Sequence, residues 1–384
     1  MTTLNSIQSI LDYSNALKAE RDALFDPFSG DGSTGERFKL SLPDFYLSEQ
    51  YLPVEMMEHS MVVKLTEYGS VQSFIEDYLG EEFSDEALDS FIKNWIKLRS
   101  KYDFPFWAAT MAKIKNKKGG RNIAFILNFS QRYLLTVLEE MRKAGVPIRI
   151  ILLKARQWGG STLIQLYIAW IQLIHKEGWY SSIVAQDKST SYKIMEMFSK
   201  LLAEYPPWML DLSSENPIDF GSYGRSSNDF IIKQNTKVVR DSVISIGSVL
   251  APQSIRGGDI ACFHASEVGV WSETAQWNPE NIIRSVAGSI LDEPLTLIVF
   301  ESTANGTGNY FHKEWLRANL KEGDENKSQM KPVFVPWFMI SLYKKNFKSE
   351  NEKTKFASWL FENKNNSKVL GAPDSGEYYW WLLE

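Results

Sequence analysis

The stretch Ile148-Arg-Ile-Ile-Leu-Leu-Lys-Ala-Arg-Gln-Trp-Gly-Gly-Ser-Thr162 decides the fold. Its first half is β-branched and apolar, as expected of a strand buried on both faces. Its second half turns through Gly159-Gly160 into Leu163-Ile-Gln-Leu-Tyr-Ile-Ala-Trp170, an apolar helix. Strand, turn and helix in that order are how parallel α/β proteins cradle phosphate, because the turn's amides and the positive end of the helix face the anion. The usual loop reads G-x-x-x-x-G-K-[ST]. Here Gly160 stands before Ser161, and a lysine stands at the loop's first position, Lys154. A glycine pair between strand and helix is also compatible with a plain tight connection. Two features favour phosphate. Ser161 stands where a hydroxyl can ligate Mg²⁺. Lys154 and Arg156 place two cations on a short turn beside apolar strands, where an unpaired buried charge costs on the order of several kcal/mol and a polyphosphate removes that cost.

The 384 residues are enough for one large domain or two ordinary ones. A charged fraction of 23% and a hydrophobic fraction of 44% belong to an ordinary globular chain. The longest apolar run, Leu163–Ile174, is broken by Gln165 and Gln172, so no membrane span is expected. The N-terminus has neither the basic nor the apolar region of a signal peptide. The single cysteine, Cys262, excludes an internal disulfide framework and a Cys-based zinc cluster. These features suit a cytoplasmic protein. The net charge of −5 argues against a globally basic nucleic-acid coat but leaves room for a local track. The densest basic stretch, Lys113–Arg121, reads either as such a track or as a solvated loop.

Residues 1–103 read as a mainly helical accessory segment, with apolar residues at helical spacing in Ser6–Ala23 and Ser84–Tyr102 and a loop at Phe28–Gly35. Residues 104–340 alternate short apolar strands with helices, the pattern of a mostly parallel sheet covered on both faces. The helix after the basic loop is expected to begin at an N-cap, Ser130, and to stop at Gly145-Val-Pro147. Residues 341–384 read as a polar, helical linker or lid.

Two further stretches carry chemistry. In Ile260-Ala-Cys-Phe-His-Ala-Ser-Glu267 a hydrophobic strand ends in an acid, the second half of a nucleotidase site, where a carboxylate orients the attacking water. Glu267 fits that role. The position before it, which usually supplies a metal-associated aspartate, is Ser266, whose hydroxyl can hold a metal-bound water but adds no charge. His264 has no partner at metal spacing and reads as a packed residue. The turn Glu301-Ser-Thr-Ala-Asn-Gly306 closes another buried strand, where parallel sheets bind ligands and small polar groups can sense a γ-phosphate. As a sequence it is equally readable as a bare turn.

These three stretches, with Arg256-Gly-Gly leading into the second, resemble in sequence and in order the ATPase domain of tailed-phage terminase large subunits. The resemblance covers roughly residues 104–340, and some members of that family carry the loop lysine at the first position, as Lys154 does. It implies a P-loop NTPase of the RecA/ASCE type that uses ATP and Mg²⁺ to move double-stranded DNA into a procapsid. Lys154, Ala155, Gln157, Trp158, Gly159, Gly160, Ser161 and Thr162 would form the nucleotide loop, and Gln131 of Asn128-Phe-Ser-Gln131 would be the adenine-recognition glutamine. Glu267 would be the catalytic acid, and Arg156 or an arginine of a neighbouring subunit would stabilise the transition state. Ser302, Thr303, Ala304 and Asn305 would couple hydrolysis to movement. The implied partners are DNA, the portal of the procapsid, a terminase small subunit and further copies in a ring, in the cytoplasm of a phage-infected host. Too few residues follow the motor motifs for the family's nuclease domain, so no nuclease activity is expected. A helicase-like remodelling ATPase and a degenerate nucleotide-binding capsid or portal adaptor are the alternatives.

Overall fold

Alternating apolar runs and capped amphipathic segments produce the elements in chain order. The strands are β1 (Arg37–Ser41), β2 (Glu49–Pro53), β3 (Lys113–Ile114), β4 (Ile123–Ala124), β5 (Ile148–Lys154), β6 (Tyr180–Ala185), β7 (Ile218–Gly221), β8 (Asp229–Gln234), β9 (Lys237–Ser248), β10 (Ile260–Ser266), β11 (Leu297–Ser302) and β12 (Lys331–Val335). The principal helices are α1 (Ser60–Tyr68), α2 (Asp85–Tyr102), α3 (Phe104–Met111), α4 (Phe129–Lys143), α5 (Gly160–Trp170), α6 (Lys188–Leu201), α7 (Pro279–Ala287), α8 (Tyr310–Ala318) and α9 (Glu350–Asn363). The computed structural model describes residues 12, 18–114, 116, 119–216, 218–221, 229–235, 237–249, 259–271, 278–340 and 348–363. Most of Ser6–Ala23, Arg256-Gly-Gly and the Tyr378–Glu384 end lie outside the described residues.

The main sheet has eight strands in the order β12-β5-β11-β10-β6-β9-β8-β7. The first six are parallel, and β8 and β7 extend the sheet as an antiparallel hairpin. The strand of the third motif, β11, is inserted between the phosphate-loop strand β5 and the acidic strand β10. This is the P-loop RecA/ASCE arrangement.

Although β5 and β11 are mostly apolar, with charged residues only at Arg149, Lys154 and Glu301, their side chains still alternate between faces, as the two-residue repeat requires. Ile148, Ile150, Leu152, Leu297 and Val299 join one core with residues of α3, α4, α5 and α6, including Trp107, Leu134, Tyr167 and Phe198. Ile151, Ile298 and Phe300 join the other with Phe263, Ile282 and Phe311, from β10, α7 and α8. Both faces are therefore closed to water, and function is confined to the sheet's edges.

Among its described residues the N-terminal segment combines helices α1 and α2 with a two-stranded hairpin, β1–β2. It has its own core around Phe45, Phe74, Phe91 and Trp95. Ser84 caps α2 by accepting from the Ala87 amide, as its place before an acidic first turn suggests. The Trp170 indole donates to the Ser100 carbonyl at 2.8 Å and ties this segment to α5.

Two local expectations need correction. Helix α4 is capped by Asn128, not Ser130: the Asn128 side chain accepts from the Gln131 amide while the Gln131 side chain accepts from the Asn128 amide, a reciprocal capping box. Ser130 lies inside the helix and donates its hydroxyl to the Met339 carbonyl at 2.9 Å. The segment starting at Glu301 is not yet turn, because Glu301 and Ser302 are the last two residues of β11.

Candidate functional site

Strands β5, β10 and β11 end side by side, so the three sequence motifs meet at one edge of the sheet. Register sets the alignment: Glu301 lies opposite Leu152 on β5 and opposite Ser266 on β10.

The loop after β5 is shaped by its own residues. Gln157 and Gly159 have left-handed backbones, φ 66° and 81°. The Trp158 indole folds back and donates to the Ala155 carbonyl at 3.0 Å. A side chain at Gly160 would meet the Trp158 ring at 2.6 Å, and one at Gly159 would meet the Gln131 amide nitrogen at 2.7 Å. Gly160 is thus demanded by close approach to the indole and Gly159 by its φ. The capping-box residues brace the loop from α4, with the Asn128 amide donating to the Trp158 carbonyl at 2.9 Å and the Gln131 amide to the Gly159 carbonyl at 3.0 Å. The first amides of α5, those of Gly160, Ser161 and Thr162, precede the first helical hydrogen bond, which Leu163 donates to Gly159. Arg156 is exposed, and its charge acts against that of Lys154.

Lys154 points along the edge, not outward. Its ammonium lies 2.8 Å from Glu267 Oε1 and 3.8 Å from Glu301 Oε2. Burial works against the charged lysine, but the two carboxylates more than offset it and hold its pKa above the usual value. Glu267 itself has a left-handed backbone, φ 57°, immediately after β10. For a non-glycine residue such a conformation costs on the order of 1 kcal/mol or more and needs support from its surroundings.

That support comes from the third motif. Glu267 Oε2 accepts from the Thr303 amide at 3.2 Å and from its hydroxyl at 3.3 Å. The Ser302 hydroxyl accepts from the Gly269 amide at 3.0 Å, and the Asn305 amide donates to the Gly269 carbonyl at 2.8 Å. Ser302, Thr303 and Asn305 therefore grip the segment that carries Glu267, and Ala304 joins them along the chain.

Sequence reasoning missed Glu301. This side chain is fully buried, and its Oε1 accepts from the Ser161 hydroxyl at 2.5 Å and from the Ser266 hydroxyl at 2.9 Å. His264 Nε2 lies 3.3 Å from the same oxygen, outside hydrogen-bond geometry. Burial alone would raise the pKa of Glu301, but the Lys154 ammonium and then His264 and the Ser161 hydroxyl outweigh it and hold it at about 2. Glu301 is therefore a carboxylate near neutrality, beside the hydroxyl best placed for a metal. An acid closing an apolar strand was the visible signal, but it looked like the first residue of a turn.

Beside the loop, on the Gln131 side, opens a cavity of about 890 Å³. Its lining includes Trp158, Gly159 and Thr162 of the loop and α5, Phe25 and Arg132, and Met339. The Arg132 guanidinium lies over the Phe25 ring, 4.6 Å from its centroid. The size suits a nucleoside-sized ligand, and the N-terminal segment supplies part of the wall.

The donor set fits Mg²⁺, which is usually held by one or two protein oxygens together with waters and phosphates. Ser161 offers a hydroxyl, and Glu301 Oε2 is buried with no hydrogen bond. Among the described residues, no group of three or more His, Cys, Asp or Glu side chains could hold a metal ion by itself. No helix among them is long and apolar enough to cross a membrane.

No family model and no curated protein sequence matches the chain. Solved structures do. The chain is similar to the large terminase ATPase domain of Thermus phage P74-26, with 15% identity over 62% of this chain and 88% of that one and a TM-score of 0.34. It is similar to the large terminase of bacteriophage HK97, with 12% identity over 69% of this chain and 53% of that one and a TM-score of 0.46. It is also similar to the large terminase of a thermophilic bacteriophage in complex with ADP, with 14% identity over 59% of this chain and 48% of that one and a TM-score of 0.35.

Proposed function

We propose that this chain is a Mg²⁺-dependent ATPase that drives double-stranded DNA into a phage procapsid. One observation carries the ATPase reading: Lys154, Ser161, Glu267 and Thr303, from three motifs far apart in sequence, converge at one sheet edge. The packaging reading rests on the order and content of those motifs, which resemble the terminase set.

In this reading the loop amides and Lys154 hold the phosphates, and the base side of the nucleotide enters the cavity walled by Gln131 and Arg132. Ser161 holds Mg²⁺, which when bound neutralises charge on the phosphate oxygens. Glu267 orients and deprotonates the attacking water. To do so it must leave Lys154, and an arriving phosphate is the anion that can take its place on the ammonium. Arg156, exposed on the loop, stabilises transition-state charge in this reading, or an arginine of a neighbouring subunit does so. Movement of Glu267 reaches β11 through Thr303, and Ser302 and Asn305 carry the same displacement through Gly269. DNA, the portal, a small subunit and a ring of copies are the partners this function requires, in the host cytoplasm.

The test is Glu267→Gln, assayed with DNA present. ATP affinity is expected to stay within a few-fold, while turnover falls by about 10²- to 10⁴-fold, the usual contribution of a general base. Turnover equal to wild type would overturn the assignment. A wild-type chain that binds ATP but never hydrolyses it on DNA would favour the adaptor reading.

A further inference from the structure

We infer that Glu301 is the metal-side acid of this nucleotide site, supplied from β11 in place of the aspartate that Ser266 on β10 lacks. The inference rests on the nucleotide-site reading above and concerns which residue completes it.

The sheet register makes the exchange possible. Ser266 and Glu301 are direct partners across β10 and β11. A carboxylate lost at one position can therefore be replaced from the next strand, and the extra methylene of glutamate covers part of the roughly 4.8 Å between neighbouring strands. The two residues remain joined, since the Ser266 hydroxyl donates to Glu301 Oε1 at 2.9 Å. The same oxygen accepts from Ser161 at 2.5 Å. With its proton committed to Glu301, the Ser161 hydroxyl has its lone pairs left for a cation. Glu301 thus positions the metal-binding hydroxyl while bringing negative charge beside it.

A purely structural role explains less. Lys154 already has a counter-ion in Glu267 at 2.8 Å, closer than Glu301 at 3.8 Å. Glu301 adds to the negative field on that lysine, but a counter-ion role does not account for the two hydroxyls, Ser161 and Ser266, gathered on its Oε1. Its Oε2 is buried and accepts no hydrogen bond, an arrangement that suits a group awaiting a further positive partner.

The experiment is calorimetric titration of a non-hydrolysable ATP analogue, with Mg²⁺ and with EDTA, for wild type and two variants. Wild type is expected to bind more tightly with Mg²⁺. Glu301→Gln is expected to lose about 10- to 100-fold of affinity with Mg²⁺, the usual penalty for removing a residue that supports a metal site, with affinity in EDTA unchanged or improved. The register swap Ser266→Asp/Glu301→Gln is expected to restore the Mg²⁺ enhancement. Should Glu301→Gln fail to fold, the register swap decides alone: a retained Mg²⁺ enhancement supports the inference, and its loss overturns it. A folded Glu301→Gln with the wild-type Mg²⁺ enhancement overturns it while leaving the nucleotide site intact. A wild type that binds no nucleotide under either condition overturns both.

Discussion

The ion network under the N-terminal hairpin and the one at the sheet edge both bury a carboxylate against basic side chains, yet they treat its lone pairs differently. In the first, Asp103 receives the two terminal nitrogens of Arg37 at 2.9 and 3.0 Å and two nitrogens of Arg99 at 3.2 Å. Arg99 in turn reaches the Phe28 and Pro27 carbonyls and Gln50, and its guanidinium lies 4.1 Å from the Phe106 ring centre. Both oxygens of Asp103 and all three nitrogens of Arg99 are thus engaged. In the second, Glu301 keeps one oxygen without a hydrogen bond, and Lys154 holds Glu267 in a contact that the proposed reaction must break. Around Asp103 every carboxylate oxygen is used, although Arg37 Nε and Gln50 Nε2 in the same cluster are buried without a hydrogen-bond partner, and the cluster locks two helices and a hairpin together. A network left incomplete keeps capacity for a ligand, and stability is the quantity it gives up.

The largest expected effect tests the locked side. Asp103→Ala strands two buried guanidinium groups and should lower unfolding free energy by about 3–5 kcal/mol, read by chemical denaturation. A loss below about 1 kcal/mol, the usual range for an exposed ion pair, would break the comparison.

Next comes the acid response of the incomplete side. Glu301 has a folded pKa of about 2 against an ordinary 4.5, so ionisation favours the folded state. Its contribution is fully present above pH 4.5 and is lost as pH falls toward 2. Removing that group should flatten the stability profile of Glu301→Gln in this window by at most one proton's slope, about 1.4 kcal/mol per pH unit. Asp103, also held below its ordinary value by Arg37 and Arg99 against the opposing effect of burial, remains in both proteins. Denaturation curves at several acid pH values would show the difference, and parallel profiles would count against a charged Glu301.

The smallest effect concerns the brace between α4 and the loop. Asn128→Ala removes the cap and the bond to the Trp158 carbonyl. It should cost about 1 kcal/mol of stability and should weaken nucleotide binding, measurable by thermal denaturation and titration. Unchanged nucleotide affinity would show that Trp158 and the two glycines hold the loop unaided.

Much of this was legible in the chain itself. The apolar run at Ile148–Leu153, the glycines at 159 and 160 and the acid at Glu267 identify a strand, a phosphate-type turn and a second site strand because each signal is local. The cap of α4 was misplaced by two residues because Asn128 and Ser130 are both good capping residues, and only the reciprocal bond with Gln131 separates them. Phe25 and Arg132 gave no sign that they flank one cavity, since a long stretch of chain divides them.

The site strands, their order and the phosphate-type turn can be read from the amino acids alone, since strand periodicity, turn chemistry and motif order are written within short windows, whereas the β1–β2 hairpin falls in a stretch that reads as helical. Three-dimensional packing was needed to establish that Lys154 pairs with Glu267, that Thr303 holds that glutamate, and that Glu301 stands beside Ser266. Those facts depend on the register of parallel strands joined by long crossovers. That register is set by how α5, α7 and α8 pack their apolar faces onto the sheet, and no short stretch of sequence contains it.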